Sequence, residues 1–157
     1  MDLGLSGKRV IVTGGSKGIG RAIAHTFLDE GATVAICARN HDQLAATAAE
    51  LSEFGDVHHH QIDMAAKGDP TAFVDWASDA MGGLDVVVSN VSAMACTDWE
   101  ALVNVDLVRT NELIRAALAK MPDHADANIV CIGSTAASIA APRIAAYAAV
   151  KAVSIPL

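Results

Sequence analysis

The stretch Thr-Gly-Gly-Ser-Lys-Gly-Ile-Gly at residues 13–20 joins a short β-branched run, Arg9–Thr13, to a segment with helical spacing, Arg21–Asp29. Similar β-branched runs alternate with Ala-rich helical patterns along the rest of the chain. The further strand candidates are apolar on both faces and comprise Thr33–Ala38, Val57–Ile62, Asp85–Ser89 and Asn128–Ile132. Repeated β-α-β units with right-handed crossovers predict an α/β fold, a Rossmann-like doubly wound parallel sheet with strand order 3-2-1-4-5.

The glycines within residues 13–20 have distinct expected roles. Gly14 can adopt a tight turn, Gly18 lacks the Cβ that would keep a pyrophosphate away from the backbone, and Gly20 permits close packing of a helix on a strand. Free N–H groups at the start of the helix then face an anion. The pattern predicts dinucleotide binding. A merely flexible loop is the less favoured alternative, because the glycines lie between a strand and a helix.

Two helix starts resemble capping boxes, Asn40 with Gln43 and Thr97 with Glu100. The second precedes the longest helix, which is expected over residues 98–121. Its apolar positions fall on one stripe that is wide enough to cover a sheet or a partner helix. The stripe comprises Trp99, Leu102, Val103, Leu113, Ile114, Ala117 and Leu118.

The composition restricts the class of protein. The 157 residues suffice for one domain with a sizeable core, since 52% are hydrophobic and only 18% are charged. A net charge of −7 leaves no general basic surface for nucleic acid or an anionic membrane. No run is apolar and long enough to span a bilayer, and Met1 is followed by Asp2 rather than by a secretory signal, so we expect a cytoplasmic location.

Neither the cysteines nor the histidines indicate a metal. Cys37, Cys96 and Cys131 are odd in number and lack metal-ligand spacing, so reduced, buried thiols are the simplest interpretation. Residues 58–60 are three consecutive histidines, whose side chains on a strand point to opposite faces and cannot converge on one ion. We expect a solvated turn that enters the third strand, and no bound metal.

Tyr147 and Lys151 are four residues apart in an Ala-rich helical pattern, so both side chains project from one face. A neighbouring ammonium favours the ionised form of a phenol, which suits such a pair to proton transfer. The same spacing also occurs on the edge of an amphipathic helix that has no catalytic role. Other residues that accompany the pair therefore decide between the two interpretations. Ser134 lies thirteen residues before Tyr147, just beyond the fifth strand, at the sheet edge where ligands bind.

The spacing Gly-x-x-x-Gly-x-Gly after Thr13 resembles the short-chain dehydrogenase/reductase family, and the similarity extends over nearly the whole chain. The resemblance implies hydride transfer between a nicotinamide cofactor and a carbonyl or secondary alcohol. It implies that Ser134 hydrogen-bonds the substrate oxygen, Tyr147 donates the proton, and Lys151 also holds the nicotinamide ribose. The family's fourth catalytic position, usually Asn, is Asp106 here. A carboxylate near Lys151 would partly neutralise it or carry protons through water, so we expect a slower or retuned proton relay.

The end of the second strand distinguishes NADP(H) from NAD(H). An acid there binds the ribose hydroxyls of NAD(H), whereas the 2′-phosphate of NADP(H) needs positive charge. Ala38 occupies the acid's position, Arg39 follows it, and Lys17 lies in the glycine turn. We therefore expect NADP(H), with NAD(H) less favoured. The alternative is that both cations are ordinary solvated surface charges.

The resemblance assigns further cofactor contacts. Asp63 matches the position whose carboxylate accepts a hydrogen bond from the adenine amino group; otherwise it is a turn aspartate. Asn90 matches the family's Asn-Asn-Ala-Gly segment, from which Ser89, Val91 and Ser92 depart. The expected cofactor-binding residues are Gly14, Ser16, Lys17, Gly18, Ile19, Gly20, Arg39, Asp63, Asn90, Tyr147 and Lys151.

The family continues through two further strands and a substrate-covering loop, whereas this chain ends at Leu157. Residues 1–157 are therefore expected to form a single dinucleotide-binding domain that is incomplete at the C-terminus and lacks the family's last strands. The exposed sheet edge would be hidden in a homo-oligomer, a dimer or tetramer. Two functions remain open. One is an NADP(H)-dependent oxidoreductase acting on a small-molecule carbonyl or alcohol substrate, and the other is a truncated, catalytically impaired nucleotide-binding or assembly module.

Overall fold

The computed structural model describes residues 3–94, 98–122, 127–138 and 142–153. These residues form a five-stranded parallel sheet in the order β3-β2-β1-β4-β5, which confirms the predicted topology. The strands are β1 (Arg9–Thr13), β2 (Thr33–Ala38), β3 (Val57–Gln61), β4 (Val86–Ser89) and β5 (Asn128–Cys131). Each boundary lies within about one residue of the prediction, the usual uncertainty of element ends.

Helices follow the strands as the alternating pattern predicts. They are α1 (Gly18–Asp29), α2 (His41–Leu51), α3 (Asp69–Met81), α4 (Trp99–Leu102), a π-helix (Val103–Arg109), α5 (Thr110–Lys120), two 3₁₀ turns (Thr135–Ala137 and Pro142–Ile144) and α6 (Ala145–Val153). The Asn40 Oδ1 accepts from the N–H of Gln43 at 2.8 Å and so caps α2 as predicted. No helix within the described ranges is long and apolar enough to cross a membrane.

The core consists of two apolar layers, one on each face of the sheet. Alternate residues of β1 point to opposite faces: Val10 and Val12 pack with α1 and α2, whereas Ile11 packs with α3 and α5. All three are fully buried. Burial of each such side chain contributes about 1.5–3 kcal/mol. This packing holds β1 in place and therefore fixes the glycine turn that follows it.

The long helix differs from the prediction. Instead of one continuous helix over residues 98–121, α4 passes into the π-helix and then into α5, and the Thr110 hydroxyl donates to the Val105 carbonyl, five residues back, at 3.1 Å. Asp98 caps α4 in place of Thr97, which lies outside the described residues. The predicted apolar stripe, wide enough for a sheet or a partner helix, is only partly buried within the described residues. Its buried members are Leu102, Leu113 and Ala117, and its exposed ones are Trp99 (53%), Val103 (38%) and Leu118 (60%).

The two described cysteines have different environments. Cys37 is fully buried in β2, and burial raises the pKa of its thiol to about 12. Cys131 is exposed, so the expectation that it is buried is wrong; it lies on β5, which pairs only with β4 within the described sheet. Partial burial still raises the pKa of the Cys131 thiol, although Lys151 opposes this effect. Cys96 lies outside the described residues.

Candidate active site

The glycine turn joins β1 to α1 with backbone angles that favour glycine. Gly14 and Gly18 have φ angles of +69° and +56°, in the left-handed region. A Cβ at Gly14 would lie 3.0 Å from the Asn90 side-chain nitrogen, and one at Gly20 would lie 2.4 Å from the Gly14 carbonyl oxygen. A Cβ at Gly18 would meet nothing within 4 Å. Gly14 and Gly20 therefore close the turn on itself, while Gly18 presents its backbone to open space.

Gly15 is a requirement of the turn that sequence reasoning missed. A Cβ at Gly15 would lie 2.5 Å from the Ile36 Cγ2, so the turn lies directly on β2. The Gly15 N–H also donates to the Cys37 carbonyl at 3.1 Å. Gly20 packs against the turn itself rather than against a strand. These contacts fix the turn beside the carboxyl end of β2, close to where Arg39 follows.

Asn90 ties the end of β4 to the glycine turn. Its side-chain nitrogen donates to the Thr13 carbonyl at 2.9 Å, and its backbone N–H donates to the Thr13 hydroxyl at 2.9 Å. The N–H of Val91 donates to the same hydroxyl at 3.2 Å. Thr13 is fully buried and was not among the predicted site residues. A threonine that ends a buried strand is the available signal, because its hydroxyl must find hydrogen-bond partners.

Lys17 and Arg39, the cations expected to bind phosphate, are both exposed at this edge of the sheet. Neither makes an ion pair within the part of the chain that the structure describes, whereas Arg21 pairs with Glu50 at 2.5 Å. The Arg39 carbonyl accepts from the Gln61 side chain at 2.9 Å, which anchors its backbone. Both charges are therefore available to an anion near the turn.

Ser16 and Ile19 flank the open part of the turn in different ways. Ser16 is 7% exposed, and its carbonyl accepts from the Thr47 hydroxyl at 2.8 Å, so α2 supports the turn. Ile19 is 64% exposed in the first turn of α1. It therefore offers apolar surface to a ligand that lies over the turn.

Asp63 follows β3 at the same edge of the sheet. One of its carboxylate oxygens accepts from the N–H of Ala65 at 2.9 Å, as in aspartates that stabilise turns. The Asp63 N–H donates to the Asp69 carboxylate at 2.9 Å. The structure thus gives Asp63 the turn role that the sequence left open as the alternative.

Lys151 lies at the centre of the candidate acid–base site and is only 7% exposed. Its Nζ lies 3.0 Å from the Asp106 Oδ1 and donates to the Ile132 carbonyl at 3.3 Å. The same Nζ lies 5.8 Å from the centroid of the Tyr147 ring. Tyr147 is half-buried and packs on an apolar cluster formed by α4 and α6. The structure therefore brings the ammonium to the phenol ring.

Asp106 is held against Lys151 by the π-helix and is 3% exposed. Its Oδ2 accepts from the Ala93 N–H at 2.9 Å, whereas its Oδ1 forms the ion pair without a well-aligned hydrogen bond. A cavity of about 20 Å³ adjoins the pair, with room for about one water molecule. Removing either buried charge would leave the other uncompensated.

Ser134 caps the 3₁₀ turn Thr135–Ala137, which packs against α6. Its Oγ accepts from the Ala136 N–H at 3.1 Å. That contact uses a lone pair, so the hydroxyl hydrogen remains able to donate. Ile132, whose carbonyl accepts from Lys151, precedes Ser134 by two residues. The end of β5 therefore places the serine beside the helix that carries the lysine.

These groups all lie beyond the carboxyl ends of strands, the edge at which ligands bind in open parallel sheets. A hydroxyl donor, a phenol and a buried ammonium lie beyond β5, and the glycine turn lies beyond β1. The arrangement can hold an anionic dinucleotide at one end and transfer a proton at the other.

The three histidines at residues 58–60 lie within β3 and are half-buried to exposed, so the expectation that they form a turn is wrong. His60 stacks on Trp76 with ring centroids 4.7 Å apart, and His58 pairs with Asp56 at 3.5 Å. Across the described ranges, no group of three or more His, Cys, Asp or Glu side chains is arranged to hold a metal.

Comparisons with known proteins identify relatives of this chain by sequence. A family model described as short chain dehydrogenase matches residues 8–157. An uncharacterized oxidoreductase of Bacillus subtilis is 30% identical over 165 aligned residues, which cover 100% of this chain and 62% of that protein. The chain therefore spans about three fifths of the length of this relative.

Solved structures resemble the chain over nearly its whole length. A short chain dehydrogenase from Burkholderia cenocepacia in complex with NADP has a TM-score of 0.86 and 31% identity, over 94% of this chain and 64% of that one. A 7α-hydroxysteroid dehydrogenase complexed with NADH and 7-oxo glycochenodeoxycholic acid has a TM-score of 0.89 and 26% identity, over 96% of this chain and 62% of that one. These relatives thus include one solved with each nicotinamide dinucleotide.

Proposed function

This chain belongs to the short chain dehydrogenase family, and we propose that it binds NADP(H) and carries the acid–base residues of an oxidoreductase that interconverts a carbonyl group and a secondary alcohol. The observation that carries the proposal is the buried Lys151 ammonium, held by Asp106 and the Ile132 carbonyl beside the Tyr147 ring. Burying an ammonium is expensive, and a site that needs its charge next to a phenol explains why it is retained.

In this proposal three side chains bind the substrate oxygen and transfer its proton. The Ser134 hydroxyl donates a hydrogen bond to the substrate carbonyl oxygen. The Tyr147 hydroxyl gives its proton to that oxygen during reduction and takes it back during oxidation. The Lys151 ammonium stabilises the phenolate and hydrogen-bonds the nicotinamide ribose. Bound NADPH supplies the hydride that adds to the carbonyl carbon.

The glycine turn is the proposed pyrophosphate site. The N–H groups at the start of α1 and the open space beside Gly18 suit an anion. Asn90 holds the turn in shape through Thr13. Ser16 and Ile19 border the same space in this proposal. Gly14 and Gly20 allow the tight backbone conformation of the turn.

Preference for NADP(H) rests on this chain's own residues, since the similar structures include one with NADP and one with NADH. Ala38 places no carboxylate where a 2′-phosphate would lie, and Arg39 and Lys17 are exposed near the turn. Asp63, one strand further along the edge, would accept from the adenine amino group. In this proposal Ala38, Arg39 and Lys17 border the 2′-phosphate, and Asp63 contacts the adenine.

Cofactor titration, followed by the fluorescence of bound NADPH or NADH, tests this preference. Wild-type protein should bind NADPH more tightly than NADH. Arg39→Ala and Lys17→Ala should each weaken NADPH binding by roughly tenfold, because each removes one charged hydrogen bond to the phosphate, and should leave NADH binding nearly unchanged. Arg21→Ala is the matched control, because that arginine already pairs with Glu50. Equal losses for both cofactors would contradict the NADP(H) assignment.

NADPH oxidation with a panel of small ketones tests turnover. Tyr147→Phe keeps the ring that packs on the α4–α6 cluster but removes the proton donor, so turnover should be lost while NADPH still binds. Retained turnover in this variant would contradict the role of Tyr147.

A nucleotide-binding or assembly module without turnover is the second candidate. It is favoured by the exposure of β5, on which Val130 is 44% exposed on one face and the neighbouring Cys131 is exposed on the other. NADPH binding by the wild type without oxidation of any ketone would support this candidate over the first.

We also propose a homo-oligomer, a dimer or tetramer, formed through the long helix. Its exposed large apolar side chains are Trp99, Val103, Val108 and Leu118. In this proposal these side chains, exposed along one stretch of helix, form part of the interface. Sedimentation velocity should show a dimer or larger species, and Val103→Glu should shift it towards the monomer.

A further inference from the structure

Asn104 lies two residues before Asp106 in the π-helix and makes contacts on another side of that helix. Its Nδ2 donates to the Ala65 carbonyl at 2.9 Å, in the loop between β3 and α3. The Ala65 N–H donates in turn to the Asp63 carboxylate at 2.9 Å. A continuous hydrogen-bonded connection therefore runs from the π-helix to Asp63.

Arg109 and Glu112 reinforce this connection. The Arg109 Nε donates to the Asn104 Oδ1 at 3.2 Å, and Arg109 forms an ion pair with Glu112. The Glu112 Oε1 accepts from the Gly68 N–H at 2.9 Å and from the Thr71 hydroxyl at 3.2 Å. The Arg109 and Glu112 side chains are only 13% and 21% exposed, so water competes weakly for these bonds. The loop is thus held near both of its ends.

The amide of Asn104 satisfies two partners of opposite kind. Its nitrogen donates to a carbonyl and its oxygen accepts from a guanidinium, whereas a carboxylate cannot donate and an apolar side chain can do neither. The same π-helix presents Asp106 to Ala93 and Lys151. One seven-residue element therefore contacts both the loop that carries Asp63 and the acid–base site.

We infer that Asn104 is a positioning residue, which holds the turn around Asp63 for the adenosine end of the dinucleotide. The inference rests on the proposed function, because it takes adenine as the ligand of Asp63. It predicts that loss of the Asn104–Ala65 bond weakens binding of adenosine-containing ligands selectively. The nicotinamide end, bound near Lys151, is untouched by that bond.

Three probes separate the two ends of the site: NADPH, adenosine 2′,5′-bisphosphate and reduced nicotinamide mononucleotide. Asn104→Asp keeps the size and the acceptor but loses the donor, and Asn104→Ala tests the same loss without adding charge. Both variants should bind NADPH and the adenosine bisphosphate roughly fivefold more weakly, the effect of one net hydrogen bond. Both should bind the reduced mononucleotide as the wild type does.

Lys120→Ala is the matched control, because it removes an exposed 2.9 Å ion pair with Asp75 that also joins α5 to α3. It should leave all three affinities unchanged. Wild-type affinity of both Asn104 variants for the adenosine bisphosphate would overturn the inference, as would an equal loss for the mononucleotide together with a lower melting temperature. If the wild type bound neither NADPH nor the bisphosphate, the proposed function would fall, and the inference with it.

Discussion

Replacing Asp106 by Asn tests the charge balance around Lys151. The amide has the shape of the carboxylate, and its oxygen can still accept from the Ala93 N–H, so the local geometry should persist. What is lost is the negative charge 3.0 Å from the lysine Nζ. An ammonium freed from that charge favours the phenolate of Tyr147 more strongly. Alcohol oxidation needs the phenolate as base, so its pH–rate profile should move to lower pH.

The distance from Lys151 to the Tyr147 ring sets the scale of the expected change. The Lys151 Nζ lies 5.8 Å from the Tyr147 ring centroid, where one charge acts with roughly 3 kcal/mol at an effective dielectric constant of about 20. Asp106 cancels part of that effect. If the substitution restores about half of this interaction energy, the gain is about 1.4 kcal/mol, which moves the midpoint of the pH–rate profile by about one pH unit. The other ionisable group at the same cavity, the Cys131 thiol, has a raised pKa and stays uncharged at neutral pH.

The assay is kcat for oxidation of a secondary alcohol with NADP⁺, measured across the neutral and alkaline range in wild type and Asp106→Asn. Asp75→Asn, which removes the exposed partner of Lys120, is the control and should not move the midpoint. Urea unfolding reports the separate effect on stability, expected to be a loss of about 3 kcal/mol for an unpaired buried lysine. A midpoint that stays in place or moves to higher pH would refute the reasoning, whatever the change in stability.

Three further predictions concern the scaffold. Gly15→Ala would place a Cβ 2.5 Å from a buried isoleucine of β2, so urea titration should show a loss of about 1–3 kcal/mol, and unchanged stability would contradict that contact. The Arg9 guanidinium hydrogen-bonds Asp85 and holds the pKa of that carboxyl below its usual range. The pair therefore stabilises the native state at pH values above the pKa that Asp85 has in the unfolded chain, and this stabilisation is lost as pH falls through the lower pKa of Asp85 in the native state. Asp85→Asn should lower the free energy of unfolding by about 2 kcal/mol at neutral pH and by little in strong acid. Cys37 is buried and its pKa is raised to about 12, so in the native protein it should resist an alkylating reagent that modifies the exposed Cys131. Mass spectrometry of the labelled peptides measures the two extents of modification.

The sheet could be predicted from sequence because its physical requirement leaves a direct trace. A parallel strand covered on both faces must be apolar at every position, as in Val10, Ile11 and Val12, and the turn residues between such runs mark the crossovers. The π-helix leaves no such trace. The wider turns within Val103–Arg109 do not alter the spacing of apolar residues enough to be recognised, yet this element carries Asp106, which pairs with Lys151.

The site was only partly predictable for a related reason. Side-chain identities such as Tyr147 and Lys151 can be read from spacing, whereas backbone partners cannot, because every residue offers a carbonyl and nearly every residue an N–H. The Ile132 carbonyl and the Ala93 N–H are of this kind, and they complete the surroundings of Lys151 and Asp106. A lysine that is 7% exposed must have its charge balanced, and the Asp106 carboxylate 3.0 Å from its Nζ does this. In the proposed acid–base site the same carboxylate weakens the positive charge that acts on the Tyr147 phenol, which is why the Asp106→Asn variant is expected to differ from the wild type in the pH dependence of turnover.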